Sequence, residues 1–159
     1  MSLNIRMAQV SDAETVTDLV HALLSELTLT GSEPPTRDEI KLSTMTILSE
    51  RNGVWALLAE DDQQGAAGVL TLNECEAIYA GGKFGEIAEL YVVSQFRTDG
   101  VGRNLIEEAI KFARDRKWGR LEVGAPDVPR WNRTVSFYRK NGFSEVGPRL
   151  QLLLQGNDR

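Results

Sequence analysis

Arg97-Thr98-Asp99-Gly100-Val101-Gly102-Arg103 sets two glycines between two arginines, after an apolar run that ends at Val93 and before a helical pattern. A helix start leaves four backbone N–H groups unpaired and carries partial positive charge. Glycines let a phosphate reach those groups with no Cβ in the way. The segment therefore has the chemistry of a diphosphate cradle, with Arg97 and Arg103 as auxiliary cations. Two other phosphate motifs fail on inspection. A Walker loop ends in Gly-Lys-Ser/Thr, where this chain has Gly102-Arg103-Asn104. A dinucleotide fingerprint needs a third Gly or Ala where Leu105 stands, although Glu122 falls where a ribose carboxylate would. Gly100 is taken as a helix start of ordinary φ, where Asp would be tolerated.

A second chemical feature is Phe137-Tyr138-Arg139-Lys140-Asn141-Gly142-Phe143. A tyrosine hydroxyl, with a pKa of about 10, can hand a proton to a leaving thiolate of pKa about 8.5. The plainer alternative is a core Phe-Tyr pair on a helix. Cys75 and His21 are single residues of their kind; each reads as a packing or helix-face residue, and together they are too few for a Cys/His zinc set. No metal site is expected.

The 159 residues suit one domain, 1–159, able to bury a core without staples. With Lys+Arg 18 against Asp+Glu 23, the net charge is −5, which argues against nucleic acid and anionic membranes as partners and suits an amine acceptor. The longest apolar run is Val54–Ala59, far short of the roughly 20 residues a spanning helix needs, and the start has no signal-peptide pattern. A cytoplasmic protein is expected. A homodimer stands as a candidate assembly.

The elements that must position these residues follow from periodicity. Residues 3–7 alternate as a strand. Ser11 and Glu14 form a capping box before a helical stripe at Val16, Leu19, Val20, Leu23, Leu24 and Leu27. Thr36 and Glu39 form a second before Ile40, Thr44, Ile47 and Leu48. Strands at Val54–Ala59 and Ala66–Asn73 make a hairpin. Glu74–Gly85 reads as a loop, with Glu74 and Glu76 as solvated charges. Glu86–Val93 is a strand, a long helix runs from Gly100 to about Lys117, and Arg120–Gly124 is a strand parallel to Glu86–Val93. Asp127-Val128-Pro129 turns into a helix over about Arg130–Lys140, ended by Asn141-Gly142. Phe143–Val146 and Leu150–Leu154 close as two short strands. The fold class is α/β (α+β), a single mixed, mostly antiparallel sheet flanked by helices.

Glu86-Ile87-Ala88-Glu89-Leu90-Tyr91-Val92-Val93, the Arg97–Gly102 segment and Ser136–Phe143, in this order, resemble the GCN5-related N-acetyltransferase (GNAT) superfamily along nearly the whole chain. The resemblance implies a sheet whose central parallel strands splay apart to admit the pantetheine arm of acetyl-CoA. It implies that amides of Arg97, Thr98, Asp99, Gly100, Val101, Gly102 and Arg103 hold the pyrophosphate. Backbone groups of Leu90, Tyr91 and Val92 would pair with the pantetheine, one amide polarising the thioester carbonyl, and Asn132 would touch the cofactor. The implied activity is direct attack of a primary amine, of a small molecule or peptide, on the thioester. An alkylammonium of pKa about 10 must first lose a proton, so a carboxylate base is expected. Glu86 and Glu89 are the candidates, and Tyr138 is the candidate acid. Regular alternation places the two carboxylates on opposite faces; a bulge between them would reverse one. Two other functions stay open: a non-catalytic acyl-CoA-binding sensor or partner-binding domain on the same fold, and an unrelated nucleotide-binding module.

Overall fold

Runs of apolar and β-branched residues form β1 (Leu3–Met7), β2 (Val54–Asp61), β3 (Gly65–Ala77), β4 (Gly82–Val92) and the short β5 (Leu121–Val123). In the computed structural model, which describes residues 2–27, 33–50, 52–124 and 132–154, they make one sheet of order β1-β2-β3-β4-β5. Neighbours from β1 to β4 are antiparallel, and β5 runs parallel to β4. This is the mixed, mostly antiparallel sheet that periodicity implies. Around it lie α1 (Ala13–Glu26), α2 (Arg37–Glu50), α3 (Val101–Asp115) and α4 (Asn132–Lys140).

Strand alternation divides the core in two. Ala56, Leu58 and Val69 point to one face and pack against Val16 and Leu19 of α1 and Leu48 of α2. Leu57, Ala59, Leu70, Leu72 and Ile87 point to the other and pack against Val101, Leu105, Ile106 and Ala109 of α3. The helix that follows the glycine segment is thus pressed against the sheet by its apolar stripe, and its N-terminus is delivered to the end of β4.

The structure corrects three expectations. Residues 74–85 are not a loop: Glu74–Ala77 pairs with Gly82–Gly85 and lengthens the β3–β4 hairpin. Few apolar residues mark this stretch because a side-chain network holds it. Glu74, a half-buried, partnered acid rather than a solvated one, accepts from Trp118 Nε1 at 2.7 Å and from Arg116 Nη2 at 3.0 Å. The Arg116 guanidinium in turn lies 4.4 Å from the Trp55 ring centroid. Secondly, 143–146 and 150–154 form no strand. Their alternation supplies a strand-like face, but Val146, Leu150, Leu152 and Leu154 stand exposed, and a strand also needs an edge to pair with. Thirdly, the Ser11–Glu14 box is replaced by Asp12, whose carboxylate accepts the Gln9 N–H at 2.8 Å and is ion-paired to Arg6, so a 3-10 turn precedes α1. The Thr36 cap forms as expected, accepting the Glu39 N–H at 3.2 Å.

Gly85 marks the only place where β4 and β5 begin to pair among the described residues. A Cβ there would lie 2.4 Å from the Trp118 ring and 2.8 Å from Leu121. Gly85→Ala should therefore destabilise the fold by about 1–3 kcal/mol, the usual cost of overpacking. Urea unfolding followed by tryptophan fluorescence measures it; a midpoint equal to that of the unsubstituted protein would show that the ring can move aside freely.

Candidate active site

β4 and β5 pair through three residues: Gly85 with Leu121, Glu86 with Glu122, and Ile87 with Val123. Beyond Ile87, β4 runs on to Val92 against β3, so its other edge has no strand partner among the described residues. The parallel strands thus splay. A bulge then decides which backbone groups face the gap. Ile87 pairs with Leu72 and Leu90 with Leu70, leaving both Ala88 and Glu89 opposite Thr71. Before the bulge, the Gly85 N–H donates to the Arg120 carbonyl at 3.0 Å, toward β5. After it, the Val93 N–H donates to the Ala67 carbonyl at 2.9 Å, toward β3. Backbone groups alternate between the two edges of a strand. Leu90 and Val92 therefore face the gap, whereas Tyr91 turns its backbone to β3 opposite Val69. With no extra residue, Glu89 and Tyr91 would face the gap instead.

The bulge also overturns the opposite-face expectation for the two carboxylates. Glu86 stands across from Asn73 and Glu89 beside Thr71, so both lie on the face that α1 and α2 cover elsewhere. Glu89 accepts from the Thr71 hydroxyl and donates its own N–H to Thr71 Oγ1 at 2.9 Å. Glu86 is ion-paired to Arg149 of the C-terminal segment. Glu122, its neighbour across the parallel pair, lies 3.5 Å from Arg120. On the same face, burial and then the charges of Glu86 and Glu122 push the Cys75 thiol up, which keeps it neutral and argues against a nucleophile.

After β4, a 3-10 turn at Ser94–Phe96, nailed by the buried Phe96 ring, leads through 97–100 into α3. Gly100 has φ 77°, so the ordinary φ assumed for it is wrong: the chain reverses there in the left-handed region. The first intrahelical acceptor is the Gly100 carbonyl, bonded by the Asn104 N–H at 3.0 Å. Among the described residues, the N–H groups of Thr98, Gly100, Val101, Gly102 and Arg103 meet no acceptor. Asp99 differs, its N–H bonding the Phe96 carbonyl at 3.1 Å. Five free amides at the positive end of a helix of about four turns are what a diphosphate needs.

The two flanking arginines are engaged elsewhere. Arg97 donates Nε to the Val92 carbonyl at 2.9 Å and Nη2 to Glu26 at 2.8 Å, with its guanidinium over the Tyr91 ring. Arg103 pairs with Glu107 one turn along α3. Gly102 has a role beyond the cradle, because a Cβ there would stand 3.1 Å from Phe137 of α4.

Tyr138 is buried on α4, its ring edge-on to Phe137 and Phe143. Loss of solvent pushes its pKa up to about 12. Its hydroxyl makes no hydrogen bond among the described residues. It lines a cleft of about 1170 Å³, together with Leu121, Val123, Gly124 and Arg149. Asn132 is exposed in the first turn of α4. The Asp127-Val128-Pro129 turn lies outside the described residues. Gly142, with φ 97°, ends α4 as expected. Among the described residues no three His, Cys, Asp or Glu side chains gather as metal ligands, and no helix is long and apolar enough to cross a membrane.

Two positions in this site carry no motif. Thr71 interrupts the apolar run of β3, and a buried hydroxyl in such a run signals a hydrogen-bond duty. Glu26 ends α1, where an acid opposes the helix dipole and so signals a cationic partner, here Arg97.

A mixed sheet opened between its parallel strands, beside a glycine-started helix with free amides, defines an acyl-CoA-type transferase fold. The chain belongs to the GNAT acetyltransferase family: the model of the acetyltransferase (GNAT) domain matches residues 50–145. An uncharacterised N-acetyltransferase of Archaeoglobus fulgidus is 36% identical over 77 residues, covering 47% of this chain and 51% of that protein. The chain thus spans about half the length of the curated relative it matches. Glucosamine-6-phosphate N-acetyltransferase of Arabidopsis thaliana superposes with a TM-score of 0.74 at 20% identity, covering 98% of this chain and 100% of that one. A predicted acetyltransferase of Clostridium acetobutylicum, solved with acetyl-CoA, gives 0.74 at 20% identity over 96% of each chain. Both likenesses carry the fold.

The left-handed turn gives a direct check. A Cβ at Gly100 meets no atom within 4 Å, so Gly100→Ala tests backbone conformation alone. It should cost about 1–2 kcal/mol, with Gly100→Asn costing less because Asn visits this region readily. Equal denaturation midpoints for all three proteins would contradict a positive φ in solution.

Proposed function

We propose that the chain transfers an acetyl group from acetyl-CoA to a primary amine of a small molecule or peptide, acting as a single domain. The observation that carries this is the backbone edge at Leu90 and Val92, opened by the bulge and set beside the free amides that start α3. Amides of Thr98, Gly100, Val101, Gly102 and Arg103 would hold the diphosphate. Asp99, Arg97 and Asn132 would border it, and the Leu90 and Val92 backbone would pair with the pantetheine. When bound, acetyl-CoA supplies an acetyl group activated as a thioester. The free Cys75 thiol fits a reducing cytoplasm.

The protein's own groups then have three tasks. Glu86, reached once Arg149 yields its place to the substrate ammonium, takes the proton that frees the amine lone pair. Glu89, tied to Thr71, shapes the strand beside it. The Leu90 N–H donates to the thioester carbonyl as negative charge builds on its oxygen. As the new C–N bond forms and the C–S bond breaks, the Tyr138 hydroxyl protonates the departing sulfur, and the second proton shed by the attacking nitrogen as it becomes an amide restores the Tyr138 hydroxyl by way of water. With its pKa held near 12, that hydroxyl stays protonated across the working pH range.

One observation favours a second function, acyl-CoA binding without turnover: Glu86 is already neutralised by Arg149. Two measurements separate the functions. Acetyl-CoA at 100-fold excess over Kd should stabilise the protein by about 2.7 kcal/mol, seen as a rise in Tm, more than ATP or NAD does. Free thiol should also appear across a panel of amines, including glucosamine phosphates and peptide N-termini. A Tm rise with no thiol release supports the binding module; no rise with a folded sample counts against acetyl-CoA itself.

Glu86→Gln should lower kcat/KM by about 10²-fold or more at pH 7 and less near pH 9, where the amine ionises unaided. Glu89→Gln under the same conditions should lose less. The reverse order would move the base to Glu89.

Tyr138→Phe keeps the ring and its edge-on contacts. It should lower kcat by about 10²-fold with KM for acetyl-CoA little changed, as expected for a contact made in the transition state. A variant with unaltered turnover and a lowered Tm would make Tyr138 a core residue and leave water as the acid.

A further inference from the structure

Thr71 sits in the middle of β3 at 7% exposure, and both hydrogen-bonding functions of its hydroxyl go to one residue. It donates to the Glu89 carboxylate and accepts the Glu89 N–H at 2.9 Å. Glu89 is the second residue of the β4 bulge. In the bulge Ala88 and Glu89 both turn their backbone toward β3 opposite the single residue Thr71, so the Glu89 N–H is an extra inward donor that must find an acceptor. The Thr71 hydroxyl is such an acceptor.

We propose that Thr71 is a positioning residue for the acyl donor: by holding the extra residue in β4, its hydroxyl turns Leu90 and Val92, rather than Glu89 and Tyr91, toward the gap. Thr71 does not touch the donor on this account; it acts through the β4 backbone. The proposal rests on acetyl-CoA binding in that gap. Valine matches threonine in shape and lacks the hydroxyl. In Thr71→Val the Glu89 N–H loses its acceptor, and a regular register, with the wrong groups facing outward, gains on the bulged one.

The test is titration calorimetry on the full chain with two probes. Acetyl-CoA carries the pantetheine arm; adenosine 3′,5′-bisphosphate has no such arm and engages the nucleotide end. Thr71→Val should bind acetyl-CoA about tenfold more weakly, the scale of one lost hydrogen bond, and bind the bisphosphate as the unsubstituted protein does. Amide exchange at Glu89, read by NMR, should quicken in the same variant. Thr71→Ser keeps the hydroxyl and should bind acetyl-CoA nearly normally. Should Thr71→Val fail to fold, the serine variant decides: folded protein with tenfold weaker acetyl-CoA binding overturns the proposal. So does a folded Thr71→Val that binds acetyl-CoA normally, or that loses both probes alike, which is general loosening. If the unsubstituted protein binds the bisphosphate but not acetyl-CoA, or neither probe, the donor assignment itself falls and the role of Thr71 with it.

Discussion

The parting of β4 from β5 after Ile87 is the constraint on which the rest of the structure hangs. A strand that leaves its neighbour exposes N–H and C=O groups that must be satisfied by something. Here the protein satisfies some and leaves others facing the gap. Arg97 takes the Val92 carbonyl, the Val93 N–H turns back to Ala67, and the Leu90 groups face away from β3 with no strand partner among the described residues. The chain then reverses at Gly100 so that α3 begins beside the same edge. Among the described residues, unsatisfied strand groups and unsatisfied helix groups are thereby gathered in one place, a surface made of backbone.

That surface explains the division of labour among charged residues. The cradle presents dipoles, not monopoles, because its two arginines are engaged by Glu26 and Glu107. Arg97 is a brace: it joins the C-terminus of α1, the end of β4 and the Tyr91 ring, and so fixes the turn whose amides are free. On the other side of β4, the carboxylates are likewise held, Glu89 by a hydroxyl and Glu86 by a guanidinium. Each of these two carboxylates has a partner that sets its direction.

Much of this was legible in the sequence, and the failures have physical causes. Apolar period read the strands and helices that make the core, because burial forces that period. Gly100 and Gly102 marked the turn into α3, since glycine answers a backbone need at the first and a close approach of Phe137 at the second. Period could not read 74–85, where Glu74, Arg116 and Trp118 hold the hairpin through contacts far apart in the chain. It overread 143–146 and 150–154, where alternation exists without an edge to pair. The bulge was beyond local pattern altogether: Ala88 and Glu89 look like any two strand residues. What makes them a bulge is the register of the neighbouring strand and one threonine on it.

Gly102 and Phe137 have a consequence for how this chain can change. A methyl group at Gly102 would stand 3.1 Å from the phenyl ring of α4, tighter than ordinary van der Waals contact. The two positions therefore press on one volume. A carbon added at the helix start is met by the ring giving way by a few tenths of an ångström, so the freedom of Phe137 to shift within α4 sets what the start of α3 can carry. The start of α3 and the body of α4 are thus one unit of variation, inherited or redesigned together although no contact along the chain links them.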